Sequence, residues 1–129
     1  LLTEVDPAPY LAQFDFLKSF DAPVLGICFG HQIIGMLHGA SISRCTEDRD
    51  WQTIEVLRKN FLTEGLGDHP KMMQDHCEHI SLPEGFSHWG SSSIAPVEMM
   101  AHPTRSLFGV QFHPESILTG YGMKMLQNY

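Results

Sequence analysis

Between Pro23 and Gln32 a short apolar run ends in Gly26-Ile27-Cys28-Phe29-Gly30 and passes directly into a helical pattern. Ile33, Ile34 and Leu37 recur on one side of that pattern, and Gly39 stops it. A strand turning this sharply into a helix, with a nucleophile between two glycines, is the cysteine form of a nucleophile elbow. The turn leaves no room for a Cβ on both sides of the reactive residue, so Gly26 and Gly30 are expected to let strand and helix approach. Cys28 then stands at a helix N-terminus, where unpaired N–H groups and the dipole favour negative charge on the sulfur. The Phe29 N–H is placed to donate to an oxyanion on an attacked carbonyl. Taken alone, the pentapeptide fits a buried structural cysteine in a Gly-bounded turn equally well.

The far end of the chain separates the two readings. Gly109-Val110-Gln111-Phe112-His113-Pro114-Glu115 reads as a buried strand that delivers a histidine and, two residues on, a carboxylate. A nucleophilic thiol needs a base, and an imidazole needs a group that fixes its tautomer and supports its charge. His113 and Glu115 suit those roles if the sheet brings this strand's end beside the elbow. The two stretches together, P-V-L-G-I-C-F-G-H-Q and G-V-Q-F-H-P-E, resemble the signature pair of the class I, triad-type glutamine amidotransferases. The pair spans Pro23 to Glu115, in the family's order. The resemblance implies Cys28 as nucleophile, His113 as general acid and base, Glu115 as the orienting group and Phe29 N–H in the oxyanion hole. Gln32, one helical turn beyond Cys28, is implied to help hold the substrate, L-glutamine.

Composition bounds the alternatives. At 129 residues, with 43% hydrophobic and 18% charged residues, the chain is expected to form one soluble domain with a real core. A net charge of −7, with eight scattered Lys and Arg, argues against a nucleic-acid partner. No run reaches transmembrane length and no signal peptide is recognisable, so no membrane association is expected. Three cysteines without framework spacing suit a reducing cytoplasm.

The element pattern is helix over about 9–20, elbow strand, helix to Gly39, then a series of short strands. These fall at Ser41 to Arg44, Trp51 to Leu57, Met72 to Ile80, His88 to Ser92, Val97 to Ala101 and Leu107 to Phe112. Thr119 is expected to cap a last helix carrying Met123, Leu126 and Tyr129. The fold class is α/β. The resemblance implies a mostly parallel sheet flanked by helices, the flavodoxin-like class I amidotransferase fold, over residues 1–129 as a single glutaminase domain. Family members carry an opening strand, a helix and a second strand ending in a glycine-rich loop that supplies a second oxyanion N–H. This sequence begins just after that loop, so the N-terminal part of the domain is expected to be missing.

Gln74-Asp75-His76-Cys77-Glu78-His79-Ile80, followed by Leu82-Pro83-Glu84-Gly85-Phe86, resembles the substrate segment of GMP synthase glutaminase domains. The match puts His76, Cys77 and Glu78 where backbone groups hold the α-amino and α-carboxylate groups of glutamine. Asp75 and Cys77 depart from the usual smaller residues, and a Cβ at Cys77 narrows the pocket if the backbone there needs positive φ. His76, Cys77 and His79 also suggest a metal cluster, but positions i and i+3 on a strand face opposite sides and no second cluster has zinc spacing. No metal and no cofactor are therefore expected. The implied reaction is hydrolysis of L-glutamine to glutamate and ammonia through a Cys28 thioester, with ammonia passed to a separate synthetase subunit of the GMP synthase type. Three alternatives stand beside it. Ser116-Ile117-Leu118-Thr119 resembles anthranilate and aminodeoxychorismate synthase glutaminase subunits; the others are a stand-alone γ-glutamyl hydrolase and a non-catalytic regulatory homologue.

Overall fold

The computed structural model describes residues 1–116 and 120–129. In chain order its elements are α1 (Ala8–Phe14), β1 (Val24–Ile27), α2 (Phe29–Leu37), β2 (Ile42–Asp48), β3 (Trp51–Thr53), β4 (Glu55–Val56), β5 (Lys71–Met73), β6 (His76–Ile80), β7 (Ser87–Ser91), β8 (Met99–Ala101), β9 (Leu107–Val110) and α3 (Gly120–Asn128). Five strands form the main sheet in the order β1-β9-β8-β7-β4. β2 pairs with β6, and β3 with β5, as two antiparallel ribbons.

The α/β class expected from the sequence is the one observed, but the main sheet is mixed among the described residues. Only β1 and β9 run parallel, Val24 opposite Leu107 through Ile27 opposite Val110. The β7–β8 and β8–β9 pairs are antiparallel. The reason is connection length: a parallel return needs a crossover of a dozen or more residues, and the links into β8 and β9 are too short for one. The stretch Met72 to Ile80 is also two strands rather than one. It breaks at Gln74 and Asp75, where the Gln74 N–H donates to Asp50 O at 3.0 Å.

Alternation along the central strands divides the core between the two faces. Met99, Phe108 and Val110 face a cluster with Ile54, Leu62, Met72, Phe112 and Met125. Met100 and Leu107 face the other way, with Ile34, Ile80, Phe86 and Val97. Helix α2 lies on this second face, and Gly109 gives it room: a Cβ there would sit 2.5 Å from His31 Nδ1. In α3 the buried side chain is Met125 while Met123 is exposed, as is Tyr129 just past the helix. The expected Thr119 cap, and all of the 116–119 stretch beyond Ser116, lie outside the described residues.

Candidate active site

The elbow forms as its sequence requires. Cys28 caps the N-terminus of α2 with φ 50° and ψ −103°, and it alone among the described non-glycine residues has a positive φ. Such a conformation costs on the order of 1–3 kcal/mol and persists only where its surroundings hold it. Here the Cys28 N–H donates to Val110 O at 2.9 Å, and Gln32 N–H donates to Cys28 O at 3.0 Å. Strand β9 and the first turn of α2 thus grip the residue from both sides. The two glycines share the work unequally. A Cβ on Gly26 would lie 2.6 Å from Ile34 Cδ1 and 2.7 Å from the Gly30 backbone, whereas one on Gly30 would meet nothing within 4 Å. The close approach is therefore made at Gly26, against the backbone that Gly30 contributes.

The parallel pairing of β1 and β9 carries the segment after Val110 to the same end of the sheet as Cys28. His113 Nδ1 lies 2.6 Å from Glu115 Oε1, and the His113 N–H donates to Met73 O at 2.9 Å. The Cys28 side chain raises the His113 pKa to about 9, with burial opposing and Glu115 adding to the rise. The sulfur itself is touched by Asp75 O at 3.8 Å and Gln111 Nε2 at 3.6 Å. The Asp75 carboxylate turns away, to pair with Arg49.

Cys28, Phe29, Gln32, His76, Cys77 and Glu78 all line one cavity of about 350 Å³. Phe29 opens α2, where its N–H has no intrahelical acceptor, and its exposed ring meets Tyr10 and Phe14 edge-to-face at 6.3 and 6.5 Å. Gln32 is buried, with Nε2 donating to Glu78 O at 3.1 Å and Gln111 Oε1 at 3.2 Å. His76 is buried and its pKa is lowered, chiefly by that burial; Nδ1 meets Glu78 O at 3.0 Å. Burial pushes the Glu78 carboxyl up, but hydrogen bonds from Thr3 and Leu2 outweigh it and the net shift is downward. Its two oxygens accept Leu2 N–H at 2.9 Å and Thr3 N–H at 2.6 Å. Cys77 has no positive φ, so its Cβ fits the backbone of β6 without strain. Among the described residues no group of three His, Cys, Asp or Glu is arranged to hold a metal ion.

Two features had no role in the sequence reading. Gln111 belongs to the motif that delivers His113, two residues before it and just past the end of β9. Glu98 is buried beneath the site, where it accepts from Ser92 Oγ at 2.7 Å and Gln74 Nε2 at 3.1 Å. Burial lifts its pKa to about 7 against those two hydrogen bonds. A single glutamate between apolar neighbours in Val97-Glu98-Met99 gives no sign of this.

The family model for glutamine amidotransferase class-I matches residues 8–129. The chain belongs to that family. Among class I amidotransferase relatives, a glutamine-hydrolysing GMP synthase subunit of Methanosarcina barkeri is 36% identical over 118 residues, covering 90% of this chain and 62% of that protein. The same-named subunit of Methanocaldococcus jannaschii is 36% identical over 117 residues, covering 89% and 62%. The chain thus spans less than two thirds of the length of these relatives. A solved Thermoplasma acidophilum structure superposes with a TM-score of 0.86 at 28% identity, covering 94% of this chain and 62% of that one. A glutamine amidotransferase from Thermotoga maritima gives 0.74 at 25% identity, covering 97% and 54%. The class I amidotransferase fold is therefore shared over almost the whole chain. No described helix is long and apolar enough to cross a membrane.

Proposed function

We propose that this chain carries the glutaminase chemistry of a GMP synthase-type amidotransferase. The observation that carries the reading is Cys28 held in a positive-φ elbow at the end of the sheet to which the His113–Glu115 pair is brought. Cys28 attacks the side-chain amide carbon of L-glutamine, and the carbonyl electrons move onto oxygen facing the Phe29 N–H. His113, held as imidazolium, gives its proton to the departing ammonia as the C–N bond breaks, leaving a Cys28 thioester. His113 then takes a proton from water, which attacks the thioester; the C–S bond breaks, glutamate leaves and sulfur recovers its electron pair. Glu115 holds the imidazole tautomer and supports its charge throughout. Gln32 Oε1, which no described donor reaches, together with backbone groups of His76, Cys77 and Glu78, holds the substrate's α-amino and α-carboxylate end.

The acceptor of ammonia is assigned from the relatives, which are named as subunits of glutamine-hydrolysing GMP synthase. A separate synthetase subunit is the partner under this reading, and three free thiols suit a reducing cytoplasm. The test is glutamate release from L-glutamine by the purified chain, alone and with the synthetase subunit of a GMP synthase plus its nucleotide substrates. Glutamine-dependent GMP formation that vanishes in Cys28→Ala is the expected result. Glutamate release that no synthetase alters, with no GMP formed from glutamine, would replace this reading with a stand-alone hydrolase.

A further inference from the structure

Gln111 has no part in the steps above, yet its side chain touches the reacting sulfur. It is fully buried, with Nε2 donating to Cys28 Sγ at 3.6 Å, an ordinary length for so large an acceptor atom. Which end of an amide faces a neighbour is decided by the surrounding hydrogen bonds. Here the decision starts at Glu78, whose main-chain carbonyl can only accept. Gln32 must therefore turn its nitrogen toward Glu78 O, at 3.1 Å. The second N–H on that nitrogen then points to Gln111, which can meet it only with Oε1, at 3.2 Å. The Gln111 nitrogen is left facing the sulfur. Its backbone is fixed as well, since Gln111 N–H donates to Glu98 O at 2.9 Å.

We infer that Gln111 is a catalytic residue whose amide nitrogen holds the Cys28 sulfur in its anionic state, and that Gln32 is the positioning residue that keeps this nitrogen turned inward. The inference rests on the reaction proposed above only for the identity of the substrate. A hydrogen bond to a charged acceptor is about twice as strong as one between neutral groups. The donor thus favours sulfur as an anion before attack, loses most of its value in the uncharged thioester, and regains it when the C–S bond breaks and the electron pair returns. Its end differs from that of His113: His113 moves protons, whereas an amide N–H stays on its nitrogen. The arrangement also gives Gln32 two duties, its nitrogen to the protein and its oxygen to the cavity.

The test uses the full chain with Gln111→Met, which keeps volume without a donor, and Gln111→Asn, which keeps the amide but shortens its reach. Iodoacetamide modification is followed at the Cys28 peptide by mass spectrometry, beside kcat and KM for glutamate release. Both variants are expected to slow Cys28 alkylation roughly tenfold or more, the scale of one hydrogen bond to a charged group. kcat should fall by a comparable factor and KM should change by less than about threefold either way. Alkylation of a folded Gln111→Met chain at the parent rate would overturn the inference, whatever its melting temperature. If that variant does not fold, parent-rate alkylation of Gln111→Asn does the same. Slowed alkylation supports the role even if glutamine proves not to be hydrolysed, so failure of the substrate reading is visible separately.

Discussion

His113 donates its main-chain N–H to the carbonyl of Met73 at 2.9 Å. Two residues on from Met73, the Asp75 carbonyl lies 3.8 Å from the Cys28 sulfur. The short break between β5 and β6 therefore touches both the imidazole-bearing residue and the thiol. Gln74, between the two, is tied by its side chain to the buried Glu98. A seam of buried polar groups thus underlies the reactive pair, and its packing sets their separation.

The His113 imidazole should titrate near pH 9, since Cys28 raises it most and Glu115 adds to the rise. Because the folded-state value is raised, the stability it contributes is fully present below the ordinary histidine range and is lost as pH rises through about 9. NMR titration of the imidazole protons measures this directly. Cys28→Ala should bring the midpoint down the furthest, and Glu115→Gln by less. A midpoint unmoved in Cys28→Ala would remove the thiol as the main cause.

Under the proposed reaction, in which Cys28 is the nucleophile, Cys28→Ala should lower glutamate release by on the order of 10⁴ or more. Cys45→Ala and Cys77→Ala should keep substantial activity. With His113 as the proposed base and Glu115 as the group proposed to orient it, His113→Ala should be far more damaging than Glu115→Ala, because an orienting group costs less to lose than the base it orients. Initial-rate assays on these variants decide the ranking, and equal losses at His113 and Glu115 would give Glu115 more than an orienting role.

The elbow glycines should respond in opposite ways to a methyl group. Gly26→Ala places a Cβ 2.7 Å from the Gly30 backbone, which cannot swing aside as a side chain can. It should destabilise the chain by about 1–3 kcal/mol or more. Gly30→Ala finds open space inside α2 and should be neutral or stabilising by up to about 1 kcal/mol. Urea unfolding of the two variants measures the contrast.

Glu98 should make folding stability fall as pH rises. Burial raises its pKa to about 7 in the folded chain, so the folded state binds the proton more tightly than the unfolded state. Its contribution is full below the ordinary carboxylate range and lost as pH rises through about 7, with a span on the order of 3 kcal/mol. Glu98→Gln should flatten that part of the profile, as read from denaturation midpoints between about pH 5 and 8.

The elbow is legible in the sequence because its chemistry is local: an apolar run, a turn too tight for a Cβ, and a helical repeat all lie close together. His113 and Glu115 are legible for the same reason, two residues apart at a strand end. What sequence does not show is pairing between distant segments. Nothing in Met72 to Ile80 marks the break after Gln74, because it falls where the chain exchanges one partner strand, β3, for another, β2. Sheet direction escapes for a similar reason, since it depends on how short links return the chain. The equal roles expected of Gly26 and Gly30 fail on a matter of orientation: the same turn points one missing Cβ into the helix and the other away from it.

Among the described residues, β1 is paired with β9 alone, and Cys28 stands 83 positions from the Gln111 that touches it. Contacts this distant in sequence form late, because the intervening loop must close first. On a translating ribosome, at about 5–20 residues per second, the thiol emerges on the order of 4–17 s before the strand that completes its surroundings. Throughout that interval it is an ordinary cysteine on an unfinished chain. Whatever reaction Cys28 performs is thereby withheld until β9 docks, so the reactivity of this one sulfur is a clock for the closing step of folding.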